Sequence, residues 1–280
     1  MNILEVKDLT VKYKSFTLQN ISFDLPAGYI MGYIGKNGAG KTTTLNAITH
    51  LVHAHGGEVK VEGLDFKADP IAYREKIGYV GDASYFPGEL RLADVRSILK
   101  NFYPSFDAQK FDEMARQWKL PEKYSIKEFS RGEKVRLMFA SVLSRKTSLL
   151  ILDEATNGLD PIMRREILNL LQEYIQDGTK SILFSTHIME DLQDIADYIF
   201  CIDEGKKVFL DTKDALLDRY LLVGGDVKLL DEETNEKLIG VEKHEFGFSA
   251  LFDKESGETL PENLTSQMPS IDQIVVHLLK

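Results

Sequence analysis

Apolar and polar residues alternate in Leu4-Glu5-Val6-Lys7 and again in Ile21-Ser22-Phe23-Asp24-Leu25. A period of two predicts half-buried antiparallel strands. Pro26-Ala27-Gly28 then turns the chain into Tyr29-Ile30-Met31-Gly32-Tyr33-Ile34, the mostly apolar run expected of a central, buried strand. A helix is predicted through Thr43–Leu51, closed by Gly56-Gly57. From about Asp69 to Arg145 the pattern is mainly helical and charged, broken by Pro87-Gly88, Pro104 and Pro121. Two further buried runs, Leu149–Leu152 and Ser181–Ser185, flank a helical stretch, Pro161–Gln176. Strand–helix–strand spacing of this kind predicts a parallel sheet.

Charge changes the picture near Tyr220. Tyr220–Lys280 holds 5 Lys, no Arg and 12 acidic residues, net −7, out of −10 for the whole chain. The segment alternates over Leu238–Phe248 and ends in Ser270-Ile271-Asp272-Gln273, a capping box before an apolar helix, Ile274–Leu279. It is read as a small α+β appendage, residues 220–280, behind a first domain of residues 1–219. The chemistry below does not call on it, so truncation after Arg219 is expected to leave a folded core.

A net charge of −10 and a pI near 5.2 argue against a general nucleic-acid binder held by phosphate contacts. The single cysteine, Cys201, excludes an internal disulfide framework and fits a reducing cytosol. No apolar run approaches the roughly 18–20 residues that span a bilayer. The N-terminal MNILEVKDLTVKY carries Glu5 and Asp8 and lacks the blocks of a signal peptide. A soluble chain is expected, with any membrane role coming through a partner.

Gly35-Lys36-Asn37-Gly38-Ala39-Gly40-Lys41-Thr42 satisfies G-x-x-x-x-G-K-[ST] between a predicted buried strand and a helix. The glycines let backbone N–H groups curl around phosphates, Lys41 supplies a cation for them, and the Thr42 hydroxyl suits Mg²⁺. Leu149-Leu150-Ile151-Leu152-Asp153-Glu154 is a buried strand ending in two carboxylates. Adjacent strand side chains point opposite ways, so Asp153 can hold the metal shell while Glu154 polarises an attacking water. Ser181–Ser185 leads into Thr186-His187, which places His187 at another strand's carboxyl end, where open α/β sheets bind ligands. Phe129-Ser130-Arg131-Gly132-Glu133 precedes an amphipathic helix, Lys134–Leu143. It reads either as a plain N-cap serine or as a second anion site at a helix start.

In this order the motifs resemble those of the ABC transporter ATPase family. GKNGAGKT is similar to its phosphate loop, LLILDE to its acidic strand, FSRGE to its LSGGQ-like signature, Asn157-Gly158-Leu159-Asp160 to its D-loop and His187 to its switch histidine. The resemblance covers roughly residues 1–215. It implies a P-loop α/β core with an N-terminal antiparallel β subdomain and an inserted helical subdomain, about residues 83–145. It implies ATP and Mg²⁺ as ligands, with Gly35, Asn37, Gly38, Ala39, Gly40, Lys41, Thr42 and Thr43 around the phosphates. Tyr13 would stack on adenine, and Asp160 would sit at the dimer's nucleotide edge. Two chains would pair head to tail, identical or paired homologues, so that Ser130 and Gly132 of one cap the γ-phosphate held by Lys41 of the other.

Departures from the family pattern stand at Phe129, Arg131 and Glu133, and at Asp82, which occupies the usual place of the Q-loop glutamine. A carboxylate there can still ligate Mg²⁺, so the expected metal set is Thr42, Asp153 and Asp82. With Phe102-Tyr103-Pro104, these features are similar to bacterial drug and peptide export or immunity ATPases. In those, a cytoplasmic ATPase sits on the inner face of the cell membrane against a separate integral subunit, coupled here through about Asp82–Ser130. The alternative is a soluble ABC ATPase acting as an ATP-gated clamp or regulator. His50, His53 and His55 crowd one predicted helix end, but i, i+3, i+5 spacing does not present three metal ligands on one face.

Overall fold

A computed structural model describes residues 1–261 and 263–280. The alternating N-terminal segment forms β1 (Asn2–Lys12) and β2 (Thr17–Pro26), which pair antiparallel. The apolar run forms β3 (Ile30–Ile34), buried at every position, as a strand covered on both faces must be. Then follow α1 (Lys41–Ile48), β4 (Gly56–Val61), β5 (Leu64–Asp65), α2 (Pro70–Lys76) and β6 (Ile77–Gly81). Helices α3 (Leu92–Phe102), α4 (Ala108–Gln117) and α5 (Arg131–Leu143) make the inserted helical layer. Next come β7 (Leu149–Asp153), α6 (Pro161–Ile175), β8 (Ser181–Ser185), α7 (Met189–Ile195), β9 (Tyr198–Asp203), β10 (Lys206–Thr212) and α8 (Lys213–Arg219). The last segment adds β11 (Tyr220–Gly225), α9 (Glu232–Glu236), β12 (Leu238–His244), β13 (Gly247–Asp253), β14 (Thr265–Gln267) and α10 (Ile271–Leu278).

Three sheets result. The N-terminal one runs β2-β1-β4-β5 and is antiparallel throughout. The central one runs β10-β9-β3-β8-β7-β6, parallel except for its antiparallel edge strand β10. The third, β12-β13-β11-β14, is antiparallel.

Three expectations are corrected, and the alternating C-terminal run resolves into its strands. Helix α1 ends at Ile48, where Thr49 caps it and His50 turns left-handed at φ 55, so Gly56-Gly57 opens β4 instead of closing the helix. The stretch read as mainly helical contains β6, an edge strand of the parallel sheet. Two of its five residues are glycine, which weakens a strand pattern, and pairing with β7 supplies what propensity does not. The alternating run Leu238–Phe248 is a hairpin, β12 turning into β13 where His244 pairs with Gly247. The C-terminal segment is also more than a surface appendage. Leu222, Leu251, Ile271, Ile274 and Val275 share one continuous core with Leu192, Ile195, Ile199 and Leu216.

The parallel sheet carries a core on each face. One packs against the N-terminal sheet through Leu4, Leu25, Met31, Tyr33, Leu183 and Phe200. The other packs against the helical layer through Ile30, Leu150, Leu152, Phe139 and Ile167. Burial on both faces makes the sheet a stiff platform, and its carboxyl edge holds still whatever extends beyond it.

Candidate functional site

Register brings the strand ends level. Gly81 lies beside Asp153, Asp153 beside Ser185, and Ser185 beside Tyr33. The residues that follow these ends therefore share one edge: the phosphate loop after β3, Glu154 after β7 and His187 after β8.

The phosphate loop is shaped by close approach. Gly40 takes φ +111 as the cap of α1, and a Cβ on it would lie 2.8 Å from the Phe16 ring. Only glycine combines that backbone with that neighbour. The Lys41 ammonium is nearly buried and donates to the carbonyls of Gly35 (2.7 Å) and Lys36 (3.3 Å). Ala39 donates to Lys36 O at 3.0 Å, closing the turn that presents Asn37 and Gly38 to solvent. Thr42 and Thr43 lie in the first turn of α1.

Asp153 is buried, and its Oδ2 accepts from the Tyr79 hydroxyl at 3.4 Å. Burial pushes its carboxyl above the usual range, the neighbouring Thr42 hydroxyl pulls it down, and the charge of Glu154 pushes it up again. Among the described residues its Oδ1 has no hydrogen-bond partner, nor has the adjoining Ser185 Oγ. A buried, unpartnered carboxylate oxygen beside a threonine hydroxyl is a hard oxygen donor set, which fits Mg²⁺.

Glu154 adopts φ +56, a left-handed conformation uncommon for a residue with a side chain. Its N–H donates to Ser185 O at 2.9 Å, which holds the turn. Its Oε2 hydrogen-bonds His187 Nδ1, so the two expected catalytic side chains touch. Backbone strain of this kind persists only where its surroundings over-determine it, as the bonds to Ser185 and His187 do here.

Downstream, Asn157 N–H donates to Glu154 O at 3.1 Å, and Asp160 caps α6 by accepting from the N–H groups of Ile162 and Met163, both at 3.0 Å. Ser130 caps α5 in a reciprocal box: its N–H donates to Glu133 Oε2 at 2.7 Å and its Oγ accepts from Glu133 N–H at 3.2 Å. Gly132 faces Met163, whose sulfur a Cβ would meet at 2.7 Å, so α5 and α6 start in close contact. Among the described residues no hydrogen bond joins Ser130 to the phosphate loop.

Asp82 departs from its expected place in the metal set. It follows β6, but its carboxylate is engaged by the guanidinium of Arg131 and not by the Thr42–Asp153 pair. Arg131 also lies against Gly158 of the D-loop. Tyr13 is 48% exposed at a turn closed by its N–H to Phe16 O at 2.8 Å. Of the three histidines, His53 and His55 lie edge to face with ring centroids 6.1 Å apart, while His50 packs elsewhere. His50 stacks on Phe66 at 3.9 Å, with burial lowering its pKa, and His55 Nδ1 accepts from Lys12 N–H at 3.1 Å.

Sequence reasoning missed Phe16, whose ring backs Gly40, and Asp191. Asp191 is fully buried, accepts from the Thr156 hydroxyl at 2.8 Å and pairs with Arg164, tying the loop after Glu154 to the helix after His187. The available signal was an acid next to Leu192 on the apolar face of α7, opposite an arginine-bearing helix.

The ABC transporter family model matches residues 18–157. The bacitracin transport ATP-binding protein BcrA of Bacillus licheniformis is 30% identical over 207 residues, covering 73% of this chain and 68% of that protein. The energy-coupling factor transporter ATP-binding protein EcfA of Pediococcus pentosaceus is 29% identical over 99% of this chain and 98% of its own length. A solved ATP-binding subunit of an ABC transporter superposes with a TM-score of 0.71 at 26% identity, over 77% of this chain and 92% of that one. The level strand ends and these likenesses agree: this chain belongs to the ABC transporter family, as one of its ATP-binding, ATP-hydrolysing subunits.

Proposed function

We propose that this ATPase works as a head-to-tail pair that closes on two ATP molecules, and that closing and reopening drive a separate integral membrane subunit. The reading is supported above all by one observation: Lys41, Asp153, Glu154 and His187 stand at one edge of a rigid sheet. Phosphoryl transfer to water needs positioning and charge neutralisation more than covalent chemistry, and these residue types supply both. Lys41 turns from the loop carbonyls to the β- and γ-phosphates, while the loop N–H groups from Gly35 to Thr43 cradle them. Thr42 and Asp153 hold Mg²⁺, which when bound offsets phosphate charge. Glu154 accepts a proton from the attacking water, and His187 fixes the Glu154 carboxylate. Tyr13 gives adenine an exposed ring face, and Asp160 sets the start of α6 at the subunit boundary.

Ser130 and Gly132 of the second copy complete each site at the γ-phosphate, which gives a role to a helix N-terminus whose capping Ser130 is exposed. The membrane subunit docks a cytoplasmic segment in the cavity of about 510 Å³ lined by Asp82, Ser84, Phe86, Lys127, Arg131 and Lys134. No helix of the described residues is long and apolar enough to cross a membrane, so this work needs that partner. The work proposed for it is export of a drug, peptide or similar compound; one relative is named for bacitracin transport.

Complementation tests the pair. Ser130→Arg places a bulky cation where the opposing γ-phosphate fits, and Lys41→Ala removes the phosphate cation. Each variant alone should be inactive, and mixing them should recover hydrolysis, since one composite site per heterodimer is intact. A mixture as inactive as its components would overturn the head-to-tail arrangement.

A further inference from the structure

The side chain of Lys36, the second residue of the phosphate loop, takes no part in the chemistry above; only its backbone does. Its ammonium donates to the Leu279 carbonyl at 2.8 Å and pairs with Asp203 at 3.3 Å. Leu279 caps the C-terminal end of α10, where unsatisfied carbonyls and the helix dipole leave partial negative charge. Asp203 ends β9, the strand that pairs with β3 as β3 enters the loop. One side chain therefore joins the phosphate loop, the central sheet and the last helix of the C-terminal segment.

Helix α10 is held in place independently of Lys36. Ile271 and Ile274 are fully buried in the main core. Ser270 and Gln273 form its capping box, with reciprocal bonds of 2.9 and 3.2 Å. His277, 4% exposed, hydrogen-bonds Gly240 O through Nδ1 at 2.6 Å. Gly240 takes φ +62, and a Cβ there would lie 2.1 Å from His277 O, so β12 and α10 meet where only glycine fits. The same helix packs against α7, which begins two residues after His187. A displacement of the C-terminal sheet thus reaches both the phosphate loop and the helix behind the histidine.

We infer that residues 220–280 are a positioning element of the nucleotide site, acting through the α10–Lys36 contact to hold the phosphate loop in its binding shape. Lys36 is a positioning residue and not a phosphate ligand: its ammonium is engaged by Leu279 and Asp203, and Lys41 is the cation turned into the loop. Coupling of this kind is reciprocal, so whatever binds or shifts the third sheet changes ATP affinity, and ATP changes how firmly α10 is seated. The inference rests on the reading of the loop as the ATP site.

The full chain tests it through ATP titration calorimetry and steady-state hydrolysis on Lys36→Met, Lys36→Arg, Gly240→Val and the Lys36→Met/Gly240→Val double variant. Circular dichroism and melting curves check the fold. Lys36→Met and Gly240→Val should each raise the ATP Kd about 5-fold or more, the usual scale of coupling between sites, with kcat little changed. Lys36→Arg should bind like the parent, because a guanidinium still reaches a carbonyl. The double variant should be no worse than the weaker single, since both changes cut one connection. Unchanged Kd in both singles, or losses that multiply in the double, would overturn the inference. If Gly240→Val does not fold, His277→Leu, which keeps bulk and loses the bond to Gly240, takes its place under the same criteria. A parent chain that binds no ATP would count against the ATP-site reading instead.

Discussion

Asp82 and Arg131 are partners: the carboxylate after β6 pairs with the guanidinium that opens α5. Both positions depart from the common ABC pattern, and the two departures meet in space. The side chains are 52% and 46% exposed, so the pair contributes at most about 1 kcal/mol to folding. Its value lies in position, between a strand end at the nucleotide edge and the signature helix. Asp82→Arg and Arg131→Asp should each lower turnover by setting like charges together, with little change in melting temperature. The charge-swapped double variant should recover most of the loss. A double variant as slow as the worse single would show that the pair plays no part in hydrolysis.

Glu154→Gln retains shape and a carbonyl for His187 but removes the charge that draws a proton from water. Hydrolysis should fall about 10²–10⁴-fold while ATP still binds. The variant should shift toward dimer with Mg-ATP in size-exclusion chromatography. Steady-state rates equal to the parent's would remove Glu154 from the mechanism.

The proposed site gives separate tasks to two aromatic rings, Tyr13 and Phe16. Tyr13→Ala should cost about 1–3 kcal/mol of nucleotide affinity through lost stacking, and Tyr13→Phe little. Phe16→Ala should also weaken binding, because its ring backs Gly40 and limits the loop's freedom. Equal losses from Tyr13→Ala and Tyr13→Phe would assign the effect to the hydroxyl and end the stacking model.

Asp153 carries a cost in stability that the proposed Mg²⁺ would offset. Burial raises its carboxyl above the unfolded value, so the fold prefers it protonated. The folded chain then binds this proton more readily than the unfolded one, and the group's contribution to stability improves as pH falls through that raised value. At neutral pH the ionised group is a liability without a cation beside Oδ1. Asp153→Asn should raise the melting temperature of the nucleotide-free chain and abolish Mg²⁺-dependent turnover. A lower melting temperature would show that the carboxylate has a stabilising partner.

Truncation after Arg219 would remove Leu222, Leu251, Ile271 and Ile274 from the main core and expose Leu192, Ile195 and Leu216. Each large side chain lost from such a core costs several kcal/mol, on the scale of about 2–5 apiece. The shortened chain should aggregate or unfold without cooperativity, in contrast to the expectation from sequence. A sharp thermal transition near that of the full chain would mean the remaining core closes over the gap.

Most of the site was legible in the order of residues because its parts are local. A phosphate loop is eight consecutive positions, an acidic strand end is a run of apolar residues with two carboxylates, and a helix cap is a four-residue pattern. Each carries its geometry within a few bonds, so the loop holding Lys41, the strand end at Asp153 and Glu154 and the cap at Ser130 could be placed on their elements without coordinates. What only the tertiary structure decided was pairing across distance. β6 is a strand because β7 lies beside it, and Asp82 departs from the metal set because Arg131, 49 residues on, reaches it first. The C-terminal segment announced by its periodicity that it folds, but periodicity marks which face is apolar and is silent on what covers it. Burial against α7 and α8, and the bond from Leu279 back to Lys36 across 243 residues, follow from the way the sheets stack, a property no window along the chain contains.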